Sequence, residues 1–296
     1  MTPKHNLFVM SVDVDSWSSL LRFYSIEHDT KEANAQVDIG SGITTLLKLF
    51  EKHDLRATFF VPGEVAQSEG PAVKLVVQAG HEIACHGMTH DKNECLAPLN
   101  EQISSIAEAS MALKRVTGNT PNGFRAPCLR ANGDTARALE ELEYIYDSSV
   151  LPGFVPRYYG YLSGLQRPYH PSFASLHKQG SSKILELPVS VNPFLRVPIS
   201  AAWMRNLGIN WVKASVSANF SRGNPVMFYI HPRDVSALPK TKGLPWHVYK
   251  SAGQKTSSML DKLLGHVKKH AMIVTGLEVA NALRSSRELA QSARLS

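Results

Sequence analysis

The chain has 296 residues, of which 43% are hydrophobic and 19% are charged, so it is long and apolar enough to bury a sizeable core without a partner. Its length and its odd number of cysteines, three, exclude a small disulfide-stapled peptide. The formal net charge of +7 suits an anionic partner such as a phosphate, an acidic glycan or a lipid head group. Without a long Lys/Arg run it does not favour nucleic acid.

Short β-branched or aromatic runs alternate with amphipathic stretches along most of the chain, which is typical of parallel strands joined by crossover helices. We predict strands at 7–12, 57–61, 82–85, 123–125, 144–147, 184–189, 226–230 and 271–275. Helical spacing predicts helices over 40–51, 65–78, 99–117, 134–143, 201–207, 256–270 and 277–289. The pattern indicates an α/β fold, a single distorted or incomplete (β/α) barrel domain of about seven strands over residues 1–296.

Residues 151–180 interrupt this alternation. The segment is rich in Pro, Gly, Tyr and Ser and contains Pro152, Pro156, Pro168 and Pro171. Such a composition disfavours regular elements and predicts a long surface loop over the mouth of the barrel.

The first six residues lead directly into the first predicted strand, which leaves no room for the charged, apolar and cleavage regions of a secretion signal. No apolar window approaches the roughly 20 residues that span a bilayer. Three cysteines without a disulfide framework suit a reducing compartment. We therefore expect a cytoplasmic protein.

Polar side chains follow the predicted strands at the edge where barrels of this type carry their functional groups. These groups are Asp13 and Asp15 after the first strand, His86 and His90 after the third, Arg125 after the fourth, Asp147 after the fifth and His231 after the strand at 226–230. We expect them to meet at one mouth of the barrel.

His86 and His90 stand four residues apart, so a helical turn would place both imidazoles on one face. Together with Asp15 they would form a three-ligand site with open positions, which suits zinc or a similar divalent ion. Histidines at this spacing also arise by chance. Cys85 lies nearby without a CxxC partner, so we interpret it as a small buried apolar residue rather than a ligand.

Asp13 and Asp15 stand two residues apart, so within a strand they share a face and repel each other. The repulsion is tolerable if one carboxylate binds the metal and the other pairs with a cation, for which Arg125 is the natural candidate. Asp13 would then stay ionised and act as a general base; the alternative is a helix cap or turn residue. His231, held extended by the following proline, would donate a proton or be an ordinary strand-end histidine.

These motifs together resemble the polysaccharide deacetylases of carbohydrate esterase family 4, which share the NodB-homology fold. The residues that carry the resemblance are Asp13-Val14-Asp15, His86 to His90, Phe124-Arg125-Ala126-Pro127 and Tyr229-Ile230-His231, in the family's order and spacing. The resemblance covers nearly the whole chain. It implies that Asp13 is the base, that Asp15, His86 and His90 are the metal ligands, that Arg125 orients Asp13, and that His231 is the acid.

The Asp-x-Asp spacing is more similar to the intracellular and exopolysaccharide-cluster branch, which also holds some cyclic-amide hydrolases, than to secreted chitin deacetylases. Asp147-Ser148-Ser149 and the segment from Trp246 to Leu264 are similar to the same branch. Arg233-Asp234 replaces the Trp-Glu pair often found there after the His-Pro dipeptide. From their places in the motifs, we expect Pro127, Asp147 and Tyr229 to bind substrate.

The resemblance implies a metal-dependent hydrolase, with one divalent cation, Zn²⁺ by preference, that removes an N-acetyl group from a sugar or glycan precursor. A nucleotide-linked or lipid-linked sugar would match the positive charge. The aromatic residues of the 151–180 segment would stack on sugar or lipid, or else pack in the core; they are Phe154, Tyr158, Tyr159 and Tyr161. We expect no nucleic acid, at most peripheral membrane contact, and leave homo-oligomerisation open. The alternatives are an amidase acting on a cyclic amide or ureide and a non-catalytic glycan-binding module.

Overall fold

The computed structural model of the chain describes residues 6–153 and 164–292. The aromatic side chains expected to stack on sugar or lipid lie outside these ranges; they are Phe154, Tyr158, Tyr159 and Tyr161.

The described residues form ten strands, eight of which share one sheet. The strands are β1 (Leu7–Asp13), β2 (Thr58–Val61), β3 (Glu82–Cys85), β4 (Gly123–Phe124), β5 (Tyr146–Asp147), β6 (Pro171–Ser172), β7 (Ser175–Gln179), β8 (Leu185–Glu186), β9 (Val226–Ile230) and β10 (Met272–Val274). Strands β6 and β7 pair with each other as a small antiparallel ribbon, so the segment predicted to be loop contains some regular structure.

Eleven α-helices connect or cover these strands in the described part of the chain. They are α1 (Trp17–Phe23), α2 (Thr30–Gln36), α3 (Ile39–Lys52), α4 (Gly63–Ser68), α5 (Gly70–Gln78), α6 (Leu99–Thr117), α7 (Gly133–Glu141), α8 (Ala201–Leu207), α9 (Ile209–Phe220), α10 (Gln254–Val267) and α11 (Gly276–Ser292). None of these helices is both long and apolar enough to cross a membrane.

The large sheet is parallel throughout and runs in the order β9-β1-β2-β3-β4-β5-β8. Strand β1 pairs with β9 over Phe8–Val12, while its first residues pair with β10 and its last with β2. Beyond β8, Ser190 exchanges two hydrogen bonds with Met227 of β9 across the remaining gap. The sheet therefore curls into an incomplete (β/α) barrel, which confirms the predicted fold class.

Strand β1 has two differently used faces because successive side chains point to opposite sides of a strand. Phe8, Met10 and Val12 belong to the main core, which they share with residues of the surrounding helices. Val9 belongs to a smaller cluster formed by residues from six strands of the sheet together with α11, which marks the barrel interior. Asp13 stands four residues after Val9 in the strand, so its side chain points to the same, interior face. It lies there at the end of the strand.

Helix α3 shows how the outer layer is built from sequence. Asp38 accepts hydrogen bonds from Gly40 N and Ser41 N and so caps the first turn. The buried residues of α3 recur at helical spacing and form one apolar stripe against the sheet; they include Ile39, Ile43, Leu46 and Phe50. Burial of each large side chain contributes about 1.5–3 kcal/mol.

Three helical regions differ from the sequence prediction. The single helix expected over 65–78 is two helices, α4 and α5, because Pro71 lies in the first turn of α5 and can begin a helix but not continue one. Helix α9 was not predicted; it follows α8 after Gly208, whose φ of 93° ends the first helix. Helices α1 and α2 were also missed; each has seven residues, and α2 buries only Ala33, so it has no apolar stripe to detect.

Candidate active site

The carboxyl ends of the parallel strands bring together the side chains that the sequence placed there. Asp13 and Asp15 come from the end of β1, His86 and His90 from the segment after β3, and Arg125 from the residue after β4. All five are buried. His231 follows β9, which is paired with β1, and is only partly covered.

Asp15, His86 and His90 converge on one point. The Nε2 atoms of the two histidines lie 3.3 Å and 3.1 Å from Asp15 Oδ1, and one ligand atom from each of the three residues falls within 4.8 Å of the others. Asp15 Oδ1 is buried and lacks a hydrogen-bond partner among the described residues. Two imidazole nitrogens and one carboxylate oxygen are a typical catalytic donor set for zinc, so the three residues fit a divalent cation.

The two histidines do not lie on a helix, which is the conformation in which their spacing would place both imidazoles on one face. The segment from His86 to His90 is an irregular turn in which Gly87 has a φ of 73° and His90 a φ of 55°. A Cβ atom on Gly87 would lie 2.8 Å from Pro127 Cγ, so both the backbone conformation and the space require glycine. The turn thus achieves the convergence that a helical spacing was expected to give.

Glu94 holds this turn in place, and sequence reasoning missed it. Its carboxylate accepts hydrogen bonds from the backbone N–H groups of Met88 and Thr89 and, at 2.6 Å, from Ser105 Oγ. A carboxylate four residues beyond a His-x-x-x-His motif is not distinctive in sequence, since most such residues are solvated.

The backbone of Arg125 fixes the orientation of His86. Arg125 O lies 2.6 Å from His86 Nδ1, and because a carbonyl only accepts, Nδ1 must carry the proton. Nε2 is then left with its lone pair facing Asp15 Oδ1. This is the arrangement by which outer hydrogen bonds select the ligating nitrogen of a histidine.

Arg125 pairs with Asp13, as expected from the sequence. Its Nη1 atom lies 2.5 Å from Asp13 Oδ1 and donates to Ser11 Oγ at 3.0 Å. Its Nε and Nη2 atoms donate to the carbonyl and hydroxyl oxygens of Ser148, and its guanidinium lies 4.0 Å from the centre of the Phe60 ring. With every nitrogen engaged and no exposed surface, Arg125 is held in one position.

The second oxygen of Asp15 faces a different group of side chains. Asp15 Oδ2 lies 3.4 Å from His231 Nε2 and 3.0 Å from Arg233 Nη1. Asp234 accepts from His231 N and lies 3.2 Å from His231 Nδ1, while Arg205 of α8 lies 2.9 Å from the same carboxylate. Asp234 thereby orients His231 with Nε2 directed at the site.

Neighbouring charges shift the pKa values of Asp15 and His86. Burial alone would raise the pKa of Asp15, but His90, His231 and Arg233 hold that pKa well below its usual range. Burial likewise opposes protonation of His86, yet the adjacent Asp15 and Asp13 raise the pKa of His86 above its ordinary value. A bound cation would require the neutral form of His86, with the lone pair of Nε2 free for the metal.

The remaining predicted substrate-binding residues are placed in different surroundings. The Tyr229 ring lies 5.6 Å from that of His231, edge to face, and Pro127 is buried against Gly87. Asp147 is not one of the clustered ligand residues: it is fully buried, accepts a hydrogen bond from Ser149 Oγ and pairs with Glu186 of β8. Burial raises the pKa of Asp147 to about 6 and that of Glu186 well above its usual range.

Cys85 is a core residue, as predicted. Its side chain is fully buried in the main apolar cluster. Burial raises the pKa of its thiol to about 12, so the thiolate that a metal ligand requires is strongly disfavoured.

Comparison with known proteins shows which families the parts of this chain match. Residues 28–146 match the model of the polysaccharide deacetylase family, and residues 148–273 match a domain of unknown function, DUF3473. The first match contains His86, His90 and Arg125, and the second contains His231 and Arg233. Asp13 and Asp15 precede both.

Named relatives agree with this assignment. The chain is 30% identical over 157 residues to a peptidoglycan deacetylase of Helicobacter pylori, a segment that spans 53% of each protein, so it matches about half the length of that relative. A solved protein of Mycobacterium smegmatis, described as a polysaccharide deacetylase, superposes with a TM-score of 0.70 at 22% identity over 96% of this chain and 93% of that one. An allantoinase superposes with a TM-score of 0.66 at 16% identity over 95% of this chain and 91% of that one, which shows a shared fold. Residues 28–146 therefore carry the polysaccharide deacetylase domain, of the NodB type found in carbohydrate esterase family 4, and the chain shares the fold of a solved protein described in the same terms.

Proposed function

We propose that the protein is a metal-dependent hydrolase that removes an N-acetyl group from an N-acetylated sugar or glycan precursor. The observation that carries the proposal is the convergence of Asp15, His86 and His90, with the buried Asp15 Oδ1 lacking a hydrogen-bond donor, beside the Asp13–Arg125 pair. A divalent cation held by these three ligands, Zn²⁺ by preference, would polarise the acetyl carbonyl and acidify a water molecule.

Asp13 is the proposed general base. Arg125 holds its Oδ1 atom and offsets the repulsion from Asp15, so the side chain of Asp13 is fixed next to the ligand cluster. A carboxylate fixed in this way removes a proton from the attacking water. A positioned general base contributes about 10²- to 10⁴-fold in rate.

His231 is the proposed general acid. Its Nδ1 faces the carboxylate of Asp234, which leaves Nε2 as the nitrogen directed toward the site. From that position it protonates the departing amine when the carbon–nitrogen bond breaks. Asp234 has a role like that of the third member of a hydrolase triad, because it fixes the orientation of the ring.

The substrate class is inferred from chemistry and family. The Helicobacter pylori relative is named as a peptidoglycan deacetylase, and an N-acetylhexosamine is the common unit of such glycans. We propose an N-acetylated sugar, with a nucleotide or lipid linkage as one source of negative charge to match the net charge of +7. A single domain over 1–296, a cytoplasmic location and the similarity to the exopolysaccharide-cluster branch stay predictions.

The proposal is tested by measuring acetate release from N-acetylated and O-acetylated glycans, with the metal content of the same sample determined in parallel. Allantoin and a cyclic imide form a second panel, for a cyclic-amide hydrolase. We expect turnover of N-acetylated sugars that is lost on chelation and restored by Zn²⁺. Turnover confined to the cyclic amides would replace this function with the amidase alternative, and a metal-loaded protein inert on both panels would favour a glycan-binding module.

A further inference from the structure

Arg233 is a cation of the site that was not expected there, and it contacts a proposed metal ligand. Its Nη1 atom donates to Asp15 Oδ2 at 3.0 Å, and its side chain is 12% exposed. Arg233 lies on the short turn after β9, two residues beyond the proposed general acid His231. Its guanidinium is therefore at the reaction centre, although no step of the proposed hydrolysis uses it.

The donors of Arg233 are mostly unused, unlike those of the two neighbouring arginines. Arg125 donates from Nε, Nη1 and Nη2, and Arg205 donates to two backbone carbonyls and pairs with Asp234. Within residues 6–153 and 164–292, Arg233 donates a hydrogen bond to Asp15 alone. Its Nε and Nη2 atoms are nevertheless not among the enclosed polar atoms that lack a partner, so they reach accessible space.

The charges of the site balance only while Asp15 neutralises Arg233. Asp13 is paired with Arg125 and Asp234 with Arg205, which leaves Asp15 as the counter-ion of Arg233. A divalent cation on Asp15 would add two positive charges and take up the carboxylate that serves Arg233. A buried cation without a counter-ion is unfavourable, so the loaded site would have an excess of positive charge beside the substrate.

We propose that Arg233 recognises an anionic group, a carboxylate or a phosphate, carried by the substrate next to its N-acetyl group. The inference rests on the proposed deacetylase function and specifies its substrate class. The planar guanidinium presents paired donors that match both kinds of oxyanion, and its free donors lie beside the proposed acid and metal ligand. The anionic group on the substrate then replaces Asp15 as the counter-ion of Arg233.

The test compares three monosaccharides that share the N-acetyl group and differ in charge. They are N-acetylglucosamine, which is neutral, N-acetylmuramic acid, which carries a carboxylate, and N-acetylglucosamine 1-phosphate. The specificity constant kcat/KM is measured for the Zn²⁺-loaded wild type, Arg233→Gln and Arg233→Lys. Arg137→Gln is the matched control, because Arg137 pairs with Asp134 on the surface away from the site.

We expect the wild type to prefer at least one anionic sugar over the neutral one by about 10- to 100-fold, the effect of one charged hydrogen-bonded contact. Arg233→Gln should bring that ratio close to one, Arg233→Lys should keep part of it, and Arg137→Gln should leave it unchanged. The sugar that is preferred identifies the anion as carboxylate or phosphate. Equal turnover of neutral and anionic sugars, or a preference that survives in Arg233→Gln, would overturn the inference while leaving the deacetylase function in place.

Zinc titration provides a readout that is independent of turnover. Arg233→Gln removes the positive charge beside Asp15, so this variant should bind Zn²⁺ several-fold more tightly than the wild type. The zinc affinities of Arg233→Lys and Arg137→Gln should equal that of the wild type. Unchanged or weaker zinc binding in Arg233→Gln would show that Arg233 does not share Asp15 with the metal and would contradict the charge argument. If the loaded wild type releases acetate from the N-acetylated glycans but hydrolyses none of the three sugars, the inference fails while the proposed function stands; if it is inert on the glycans as well, both fail.

Discussion

Asp147 lies directly opposite Glu186 in the pairing of β5 with β8, and both carboxyl groups are fully buried. Asp147 Oδ2 and Glu186 Oε2 each lack another hydrogen-bond partner among the described residues, so the two acids face each other. Two ionised carboxylates in this position would repel strongly, and the pair is therefore most stable when it shares a proton.

This acid pair predicts that stability falls as pH rises through about 6. The folded-state pKa of Asp147, about 6, is above its unfolded value, so the folded protein binds more protons between pH 4 and 6 and loses that advantage at higher pH. The loss is on the order of a few kcal/mol, because each tenfold change in proton affinity corresponds to about 1.4 kcal/mol. Glu186→Gln should reduce this pH dependence, because an amide donates to Asp147 without a charge. Urea unfolding at pH 4.5 and pH 8 measures it, with the exposed Glu51→Gln as control; an unaltered pH dependence in Glu186→Gln would contradict the shared proton.

Asp13→Asn should abolish most turnover and leave metal binding intact. The amide cannot accept a proton from water, while the three ligands remain in place, so kcat should fall by about 10²- to 10⁴-fold. Acetate release and metal content are measured on the same preparation. Asp134→Asn, a surface change, should behave as the wild type. Substantial activity in Asp13→Asn would show that another group is the base.

His86→Ala should remove the metal and the activity together. His86 provides one of three ligand atoms, and its loss leaves too few protein donors for tight zinc binding. Metal content after dialysis, measured by elemental analysis, should fall far below one equivalent. His270→Ala, at an exposed position remote from the ligands in the sequence, should retain a full equivalent. A full zinc complement in His86→Ala would refute the ligand set.

Gly87→Ala should lower both stability and metal affinity, whereas Gly80→Ala should lower stability alone. Both glycines have similar left-handed backbones, with φ of 73° and 77°, so alanine costs about 1 kcal/mol or more at each. Only at Gly87 would the new Cβ atom meet a neighbour, Pro127, and displace the turn that carries the histidines. The melting temperature and the zinc dissociation constant separate the two effects. Equal zinc affinity in the two variants would show that the turn accommodates the side chain.

The sequence predicted the fold class and the residues that gather at the mouth of the barrel, because those features follow from local patterns. Strands with apolar runs and long amphipathic helices such as α6 were placed closely, and Asp15, His86 and His90 converge as their strand ends implied. The way in which His86 and His90 meet was not predictable, since a glycine in the left-handed region can mimic the reach of a helical turn.

The contacts that sequence reasoning missed join residues far apart in the chain. Arg233 and Asp15 are separated by 218 positions, so no periodicity relates them. Asp234 appeared in the sequence only as a departure from the family's usual dipeptide, and its partner Arg205 lies on a helix whose polar residues look solvent-facing from spacing alone. Such pairs become visible only when the packing of α8 against the end of β9 is known.

The fold requires that the side chains of β1 keep their present register, because each face of the strand has a different role. Its even-numbered side chains anchor the outer helices, while Ser11 and Asp13 supply the partners of Arg125. An insertion of one residue in β1 before Asp13 would exchange its two faces. The polar side chains would then point toward the outer helices and the apolar side chains toward the barrel interior. A designer who wishes to transplant this chemistry should therefore move the whole strand together with both of its neighbours.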